Sequence, residues 1–174
     1  MSKPLFSIVI PHWNGKDFLK PCLDALGKQS YQTIEIIVVD NASEDGSQQV
    51  IKDHYPDVCL IELPENRGFT GACNAGMEAA NGDIIALLNN DTEVHPEWVQ
   101  AVVDVFENHA DVGIVASKML LFLSATISIP QATASQLMGD LSIVVSGKRM
   151  TDNSIMKSTF LVPVEALLLT DGQS

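Results

Sequence analysis

The sequence has few basic residues. Only 10 of its 174 residues are Lys or Arg, against 22 Asp or Glu, and the formal net charge is −12 at pH 7. Proteins that bind the phosphate backbone of nucleic acids present a surface rich in Lys and Arg, so this class is excluded and we expect no nucleic-acid partner. An acidic chain is, however, compatible with divalent cations.

Long apolar runs are also absent. No stretch approaches the roughly 20 apolar residues that span a bilayer, and the first residues reach Pro11 and Asn14 too soon for a signal peptide. We expect a cytoplasmic protein without a transmembrane segment, and peripheral association with the inner face of the membrane stays open. Cys22, Cys59 and Cys73 are odd in number, lack metal-ligand spacing and lie in apolar segments, which predicts reduced core residues.

Short apolar runs alternate with stretches of helical periodicity. The runs predict strands at residues 6–10, 34–39, 58–63, 84–88 and 112–116, and the stretches between them predict helices at 18–28, 47–54, 71–80 and 97–108. Runs that are β-branched and do not alternate are typical of parallel strands buried on both faces. The sequence therefore predicts a single α/β domain with a right-handed, mostly parallel sheet.

The pattern changes after Phe122. Helical and strand periodicity disappear, and Ser and Thr become more frequent. We therefore divide the chain into an α/β portion at residues 1–122 and an irregular tail at 123–174. The tail is flexible in the simplest interpretation, although its apolar pieces at 143–145 and 160–162 could form strands at the edge of the sheet.

Three predicted strands end in clusters of polar residues. The first ends in P-H-W-N-G, the second in D-N-A-S-E-D-G and the fourth in N-N-D-T. Ligands of open parallel sheets bind beyond the carboxyl ends of the strands, so the three ends predict one site. Helix capping by Ser43 or Asp45 explains one of these residues but not all of them. Asp40, at the end of its strand, is well placed to accept hydrogen bonds from a base or a ribose.

The loop before the third predicted helix carries the first arginine of the chain. Arg67 lies between Asn66 and Gly68, where its guanidinium could pair with a phosphate or with a carboxylate of the site. An arginine that is merely solvated at the surface is the alternative.

The glycine-rich loops that usually bind phosphate are missing. The loop after the first strand has neither the G-x-G-x-x-G pattern of a dinucleotide-binding domain nor the lysine-containing pattern of a P-loop. A diphosphate would need another source of positive charge. Mg²⁺ or Mn²⁺ held by oxygen ligands at the end of the fourth strand would supply it, because these ions commonly use one or two carboxylates plus phosphate oxygens.

Four ordered segments resemble a known family. "FSIVIPHWNGKDFLKPCLDAL", "EIIVVDNASEDGS", "NRGFTGACNAGMEAANGDIIALLNNDT" and "PEWV" are similar to the N-terminal half of family 2 glycosyltransferases of GT-A fold, in particular the rhamnosyltransferase-like branch. The resemblance implies transfer of a sugar from a nucleoside diphosphate donor to a glycan or lipid-linked acceptor in polysaccharide or glycan biosynthesis. It also implies inversion at the sugar and Mg²⁺ or Mn²⁺ as cofactor.

The resemblance assigns residues to the nucleoside of the donor. It implies that Pro11 and Trp13 surround the nucleobase, that Asn14 lies at the base of that pocket, and that Asp40 hydrogen-bonds the base or ribose.

A second group is assigned to the diphosphate. Arg67 and Gly68 match the loop that flanks the donor, and Asn89, Asn90 and Asp91 match the D-x-D motif, with Asp91 as the ligand of metal and diphosphate. Asn89 stands where many relatives have aspartate, so weaker or water-mediated metal binding is expected.

The general base of an inverting transferase has no counterpart in the tail. Asp140, Asp152, Glu165 and Asp171 are its acidic residues, none in a matching context, so the catalytic residue is unknown. A frameshift near residues 121–124 is one hypothesis for this departure, and the chain as written would then transfer little or no sugar. A non-catalytic nucleotide-sugar-binding module and a nucleotidyltransferase are the alternatives, although the latter should carry a basic, glycine-rich first loop.

Overall fold

The computed structural model describes residues 3–117, together with the backbone of 157–160. Within these residues strands and helices alternate along the chain: β1 (Phe6–His12), α1 (Lys16–Leu26), β2 (Ile34–Asp40), α2 (Ser47–His54), β3 (Cys59–Glu62), α3 (Gly68–Ala79), β4 (Ile84–Leu87), α4 (Trp98–Asn108) and β5 (Lys157–Phe160). The strands form one sheet in the order β3-β2-β1-β4-β5, and every neighbouring pair is parallel. The predicted α/β class and parallel sheet are confirmed.

Side chains of β1 point alternately to two apolar layers, as the period of two in a strand requires. Phe6, Ile8 and Ile10 pack into the larger core with α1 and α4. Val9 packs on the opposite face in a smaller core with α3. His12 has the same parity as Phe6, so its ring points to the larger core just where β1 ends.

Helix α3 lies very close to the sheet. A Cβ added at Gly76 would overlap Cγ1 of Val9 and lie 3.0 Å from Cγ2 of Val39. Glycine at this position therefore lets the helix approach β1 and β2 directly. Gly68, the first residue of α3, has φ +70, a backbone conformation that favours glycine.

The amino-terminal edge of the sheet is held by a polar cluster. The Ser7 hydroxyl donates to Oε1 of Glu35 at 2.5 Å, and the same oxygen accepts the backbone N–H of Asn81 at 2.6 Å. The N–H of Gly82 donates to the Ser7 hydroxyl oxygen at 2.8 Å. This cluster joins β1, β2 and the loop before β4 at the edge opposite the polar strand ends.

The predicted strand at residues 112–116 is wrong. The segment forms no strand; instead Val112 and Val115 bury their side chains in the larger core beside α4, and the indole N–H of Trp98 donates to the Ser117 hydroxyl at 2.9 Å. The place next to β4 in the sheet is taken by β5. Its last residue, Phe160, begins one of the two apolar pieces of the tail that we considered for edge strands; residues 161–162 and 143–145 lie outside the described residues.

The three cysteines differ in burial. Cys22 and Cys73 are buried free thiols, as predicted, but Cys59 is exposed on the edge strand β3, so its assignment to the core is wrong. Burial raises the pKa of Cys22 to about 12, which keeps it a thiol.

None of the helices within residues 3–117 is both long and apolar enough to cross a membrane.

Candidate functional site

A cavity of about 500 Å³ lies beyond the carboxyl ends of the central strands. Four loops line it, with the residues Pro11, His12, Trp13, Asn41, Asn66, Gly68, Phe69, Ala72, Asn89, Asn90 and Asp91. Six of the nine predicted site residues belong to this lining: Pro11, Trp13, Gly68, Asn89, Asn90 and Asp91. Strands distant in sequence thus bring their polar ends to one cavity.

Two aromatic side chains stand at this cavity with much of their surface in solvent. Trp13 is 57% exposed and Phe69 is 62% exposed. Both rings belong to the cavity lining, so they present apolar surface beside its polar residues. Trp13 follows β1 and was predicted; Phe69 lies in the first turn of α3 and was not.

Asn90 is held by a buried histidine. Its side-chain Nδ2 lies 2.8 Å from Nδ1 of His12. Because an amide nitrogen can only donate, this orientation of Asn90 makes Nδ1 the acceptor and leaves the proton of the neutral imidazole on Nε2, which has no hydrogen-bond partner within the described residues. Burial lowers the pKa of His12, against the opposing effects of the carboxylates of Asp45 and Asp40, which favours this neutral form. Sequence reasoning missed His12 as a site residue.

Gly15 leaves the space that Asn90 occupies. A Cβ at Gly15 would lie 2.8 Å from Nδ2 of Asn90, closer than such contacts allow. The absence of a side chain at Gly15 therefore leaves room for the amide of Asn90, although 75 positions separate the two residues in the sequence.

Asp91 is presented on a tight turn after β4. The N–H of Thr92 donates to the carbonyl of Asn89 at 3.3 Å, and the thiol of Cys22 donates to the same carbonyl at 3.8 Å. The side chain of Asp91 is exposed, whereas Asn89 and Asn90 are half-buried. The apolar strand thus ends in polar residues because this turn faces the cavity.

Asp40 does not reach the cavity lining. The side chain is 1% exposed, and its Oδ2 accepts the backbone N–H of Ser43 at 3.2 Å and the amide of Gln48 at 2.8 Å. Its other oxygen, Oδ1, has no hydrogen-bond partner within the described part of the chain. A buried carboxylate oxygen without a donor is costly, so a donor from a ligand or a water would stabilise it.

Asn14 also lies outside the lining and joins two loops instead. Its N–H donates to the Ser43 hydroxyl at 3.0 Å, and its Oδ1 accepts the N–H of Glu44 at 2.8 Å. Asp45 makes a second bridge, because its carboxylate accepts the N–H groups of Lys16 at 2.9 Å and of Ser47 at 3.0 Å. These bonds fix the loop after β1 against the loop after β2.

Arg67 is exposed at the start of α3 and is not part of the lining, although its neighbours Asn66 and Gly68 are. Its Nε lies 3.9 Å from the position of a Cβ at Gly71, so the side chain lies over the first turn of the helix. The guanidinium makes no ion pair with a carboxylate within the described residues.

The oxygen donors at the cavity fit a shared metal site rather than a protein-only one. No group of three or more His, Cys, Asp and Glu side chains that could hold a metal occurs among residues 3–117. Asp91 offers a carboxylate, and Asn89 offers an amide oxygen, both suited to a hard cation. Mg²⁺ and Mn²⁺ can be held in this way when a substrate phosphate and water complete the shell.

Comparison with known sequences supports the resemblance to family 2 glycosyltransferases. Residues 7–127 match the family model "Glycosyl transferase family 2". An uncharacterised glycosyltransferase of Nostoc sp. is 33% identical over 112 residues, which cover 63% of this chain and 35% of that protein. Glycosyltransferase AglE of Haloferax volcanii is 31% identical over 102 residues, covering 56% and 34%. The chain spans about a third of the length of these relatives.

Solved structures share the fold. S. aureus TarS 1-349 superposes with a TM-score of 0.63 at 21% identity, covering 73% of this chain and 38% of that one. The mannosyltransferase PcManGT of Pyrobaculum calidifontis, solved with GDP-Man and Mn²⁺, gives 0.59 at 26% identity, covering 68% and 36%. TarS 1-349 has also been solved with UDP-GlcNAc. The predicted GT-A type of α/β fold is confirmed.

Proposed function

Since this chain belongs to glycosyl transferase family 2, we propose that it forms the donor-binding part of an enzyme that transfers a sugar from a nucleoside diphosphate to an acceptor. The observation that carries this proposal is the cavity beyond the ends of β1, β2 and β4. It collects residues that resemble the donor-binding motifs from positions as distant as Pro11 and Asp91.

The nucleoside end of the donor would bind near the first two strand ends. Trp13 offers an exposed indole face for a base. Asp40 is buried in the structure, so in this proposal the side chains that cover it move aside and its Oδ1, which has no partner in the described residues, accepts a base N–H or a ribose hydroxyl. Asn14 contributes indirectly in this proposal, because its hydrogen bonds hold the loop of Trp13 against the loop that follows Asp40.

The diphosphate would lie between α3 and the turn after β4. The N-terminal end of α3, with Gly68 and the guanidinium of Arg67, supplies partial and full positive charge. Asp91, with Asn89 beside it, would hold Mg²⁺ or Mn²⁺. A divalent cation bound there would neutralise further charge on the diphosphate, in addition to the charge supplied by α3 and Arg67.

Transfer itself requires parts of the protein beyond this half. We propose inversion at the sugar and a glycan or lipid-linked acceptor, in polysaccharide or glycan biosynthesis. The base that takes the acceptor proton stays unassigned, since the acidic residues of the tail, Asp140, Asp152, Glu165 and Asp171, lie outside the described residues. The frameshift hypothesis and the division of the chain at residue 122 also stay predictions.

A donor screen tests the proposal. The thermal midpoint of the full chain would be measured with nucleoside diphosphate sugars of different bases, with and without Mn²⁺. A ligand at 100 times its dissociation constant stabilises the folded state by about 2.7 kcal/mol, which raises the midpoint by several degrees in a domain of this size. We expect at least one donor to do so, with a larger shift in Mn²⁺.

A pair of variants separates the metal site from general charge effects. Asp91→Asn should remove the Mn²⁺-dependent increment, whereas Asp57→Asn makes the same charge change on an exposed residue before β3, at the opposite edge of the sheet, and should keep it. The proposal fails if no donor shifts the midpoint, or if both variants respond to Mn²⁺ as the wild type does. A donor-hydrolysis assay then distinguishes an enzyme from a binding module.

A further inference from the structure

One side chain joins two loops of the cavity. The Asn41 amide, 4% exposed, follows β2 directly and contacts the loop before α3. Its Oδ1 accepts the N–H of Arg67 at 2.8 Å. Its Nδ2 donates to Oδ1 of Asn66 at 2.9 Å and to the carbonyl of Gly68 at 3.1 Å. The backbone N–H of Gly68 donates to the same Asn66 oxygen at 2.8 Å.

The orientation of both amides follows from their backbone partners. Arg67 presents an N–H, so the atom of Asn41 that faces it must be the oxygen. Gly68 presents an N–H to Asn66, so that atom is the oxygen as well. The amide nitrogen of Asn41 then has both of its hydrogens bound, and its oxygen has an acceptor role. Although Asn41 lines the cavity, its amide already makes hydrogen bonds to other residues of the protein.

The hydrogen bonds of Asn41 hold the turn at residues 66–68, which leads into α3. Gly68 lines the cavity with φ +70 and begins α3, and Arg67 precedes it. The side chains of Arg67 and Asn66 are exposed, so burial of these residues does not fix the turn at 66–68. The three bonds from Asn41 connect this turn to the end of β2, which lies between β1 and β3 in the sheet.

We propose that Asn41 is a positioning residue of the donor site: it sets the turn at 66–68, and hence Arg67 and the start of α3, relative to the cavity. The expected effect on donor binding rests on the proposed function. The effect on the position of the turn at 66–68 does not depend on any ligand. Asn41 acts through Arg67 and Gly68 and makes no ligand contact of its own.

Two isosteric substitutions test it, because the two asparagines use their amides differently. Asn66 serves only as an acceptor in these bonds, so Asn66→Asp keeps both of them. Asn41→Asp keeps the acceptor for Arg67 but replaces the donating nitrogen with an oxygen that faces the Asn66 and Gly68 oxygens. Both variants add one negative charge at neighbouring positions, so comparing them removes the long-range effect of that charge on an anionic ligand.

The measurements are nucleoside diphosphate affinity by calorimetry, in Mn²⁺ and well below the unfolding midpoint, and amide hydrogen exchange of Arg67 and Gly68 in the full chain. We expect Asn41→Asp to weaken binding roughly tenfold or more, as expected for a buried amide that loses its partners, and to accelerate exchange at both amides. Asn66→Asp adds its charge at the same cavity but keeps the bonds of the turn, so Arg67 and Gly68 should exchange at the wild-type rate and the nucleotide should bind roughly tenfold more tightly than to Asn41→Asp. A purely structural role would lower the unfolding midpoint but leave the affinity of the folded protein unchanged.

Several outcomes would overturn the proposal. One is a folded Asn41→Asp protein with wild-type affinity and slow exchange; another is equal damage by Asn66→Asp. Should Asn41→Asp not fold, Asn41→Ala removes all three bonds without adding a charge, and a folded Asn41→Ala protein with wild-type affinity and wild-type exchange at Arg67 and Gly68 would refute the idea. Should the wild type bind no nucleoside diphosphate, the proposed function fails, and the exchange rates alone decide whether Asn41 holds the turn.

Discussion

Gly15→Ala should disturb the candidate site from outside its lining. Gly15 has φ −149, which alanine adopts without strain, so the effect comes from space. The added Cβ would lie 2.8 Å from Nδ2 of Asn90. We expect the Asn90 side chain to move out of reach of His12 and to lose the 2.8 Å contact with Nδ1.

The size of the effect follows from the burial of His12. This residue is 1% exposed, so its Nδ1 would be left without a partner, at a cost of about 1–3 kcal/mol in the free energy of unfolding. Gly15 also precedes α1 at its N-cap, where alanine is less favourable than glycine by up to about 1 kcal/mol. A double-mutant cycle with Asn90→Ala separates the two contributions, because only the first depends on Asn90.

Urea unfolding of the full chain, followed by tryptophan fluorescence, measures the cycle. We expect Gly15→Ala to cost about 1–3 kcal/mol more in the wild-type background than in Asn90→Ala. Gly113→Ala is the matched control, because a Cβ at Gly113 meets nothing within 4 Å in the described residues. If the cost of Gly15→Ala is the same in both backgrounds, within about 0.5 kcal/mol, then the reasoning about Asn90 and His12 is refuted.

Three further predictions concern packing and pH. Gly76→Val should destabilise the chain by about 3 kcal/mol or more in urea unfolding, because its Cβ already overlaps Val9; a wild-type midpoint would contradict the close packing of α3. Burial lowers the pKa of His12 below its ordinary value of 6.5, so the unfolded chain binds the proton more readily and stability should fall as the pH drops below about 6.5; His12→Gln should flatten this part of the profile, and an unchanged slope would show that other groups cause it. Burial by itself raises the pKa of Glu35, but hydrogen bonds led by the Ser7 hydroxyl outweigh it and the net pKa is lowered, so its stabilisation is complete above about pH 4.5 and is lost as the pH falls through the native pKa; Glu35→Gln should lose part of this acid sensitivity, and a profile parallel to wild type would contradict the role of these bonds.

Much of the fold could be predicted because its signals are local. Buried parallel strands leave continuous apolar runs, and helices leave a period near 3.6, so β1 to β4 and α1 to α4 were found within a few residues of their ends. Residues 112–116 show where this fails. An apolar run indicates only that its side chains are buried. Packing beside α4 buries them as well as pairing in the sheet would.

The candidate site was predictable in its location and less so in its parts. Polar residues at strand ends indicated a common cavity, and Trp13 and Asp91 do line it. His12 and Asn41 were missed as contributors, because a histidine or asparagine in a polar loop carries no local sign of its partner. For Asn41, the partner Asn66 stands shortly before the third helix in the sequence, but nothing in the spacing of the two asparagines predicts that they form a hydrogen bond.

The sequence alone therefore determined the α/β alternation, the parallel sheet and the polar strand ends, since each depends on residues close together in the chain. The tertiary structure decided which amide meets which partner: Asn41 with the turn at 66–68, Asn90 with a histidine 78 positions away, and Asp40 facing inward beside His12. These contacts depend on how close separate strand ends and loops come in space, and side-chain hydrogen bonds form only within about 3.5 Å.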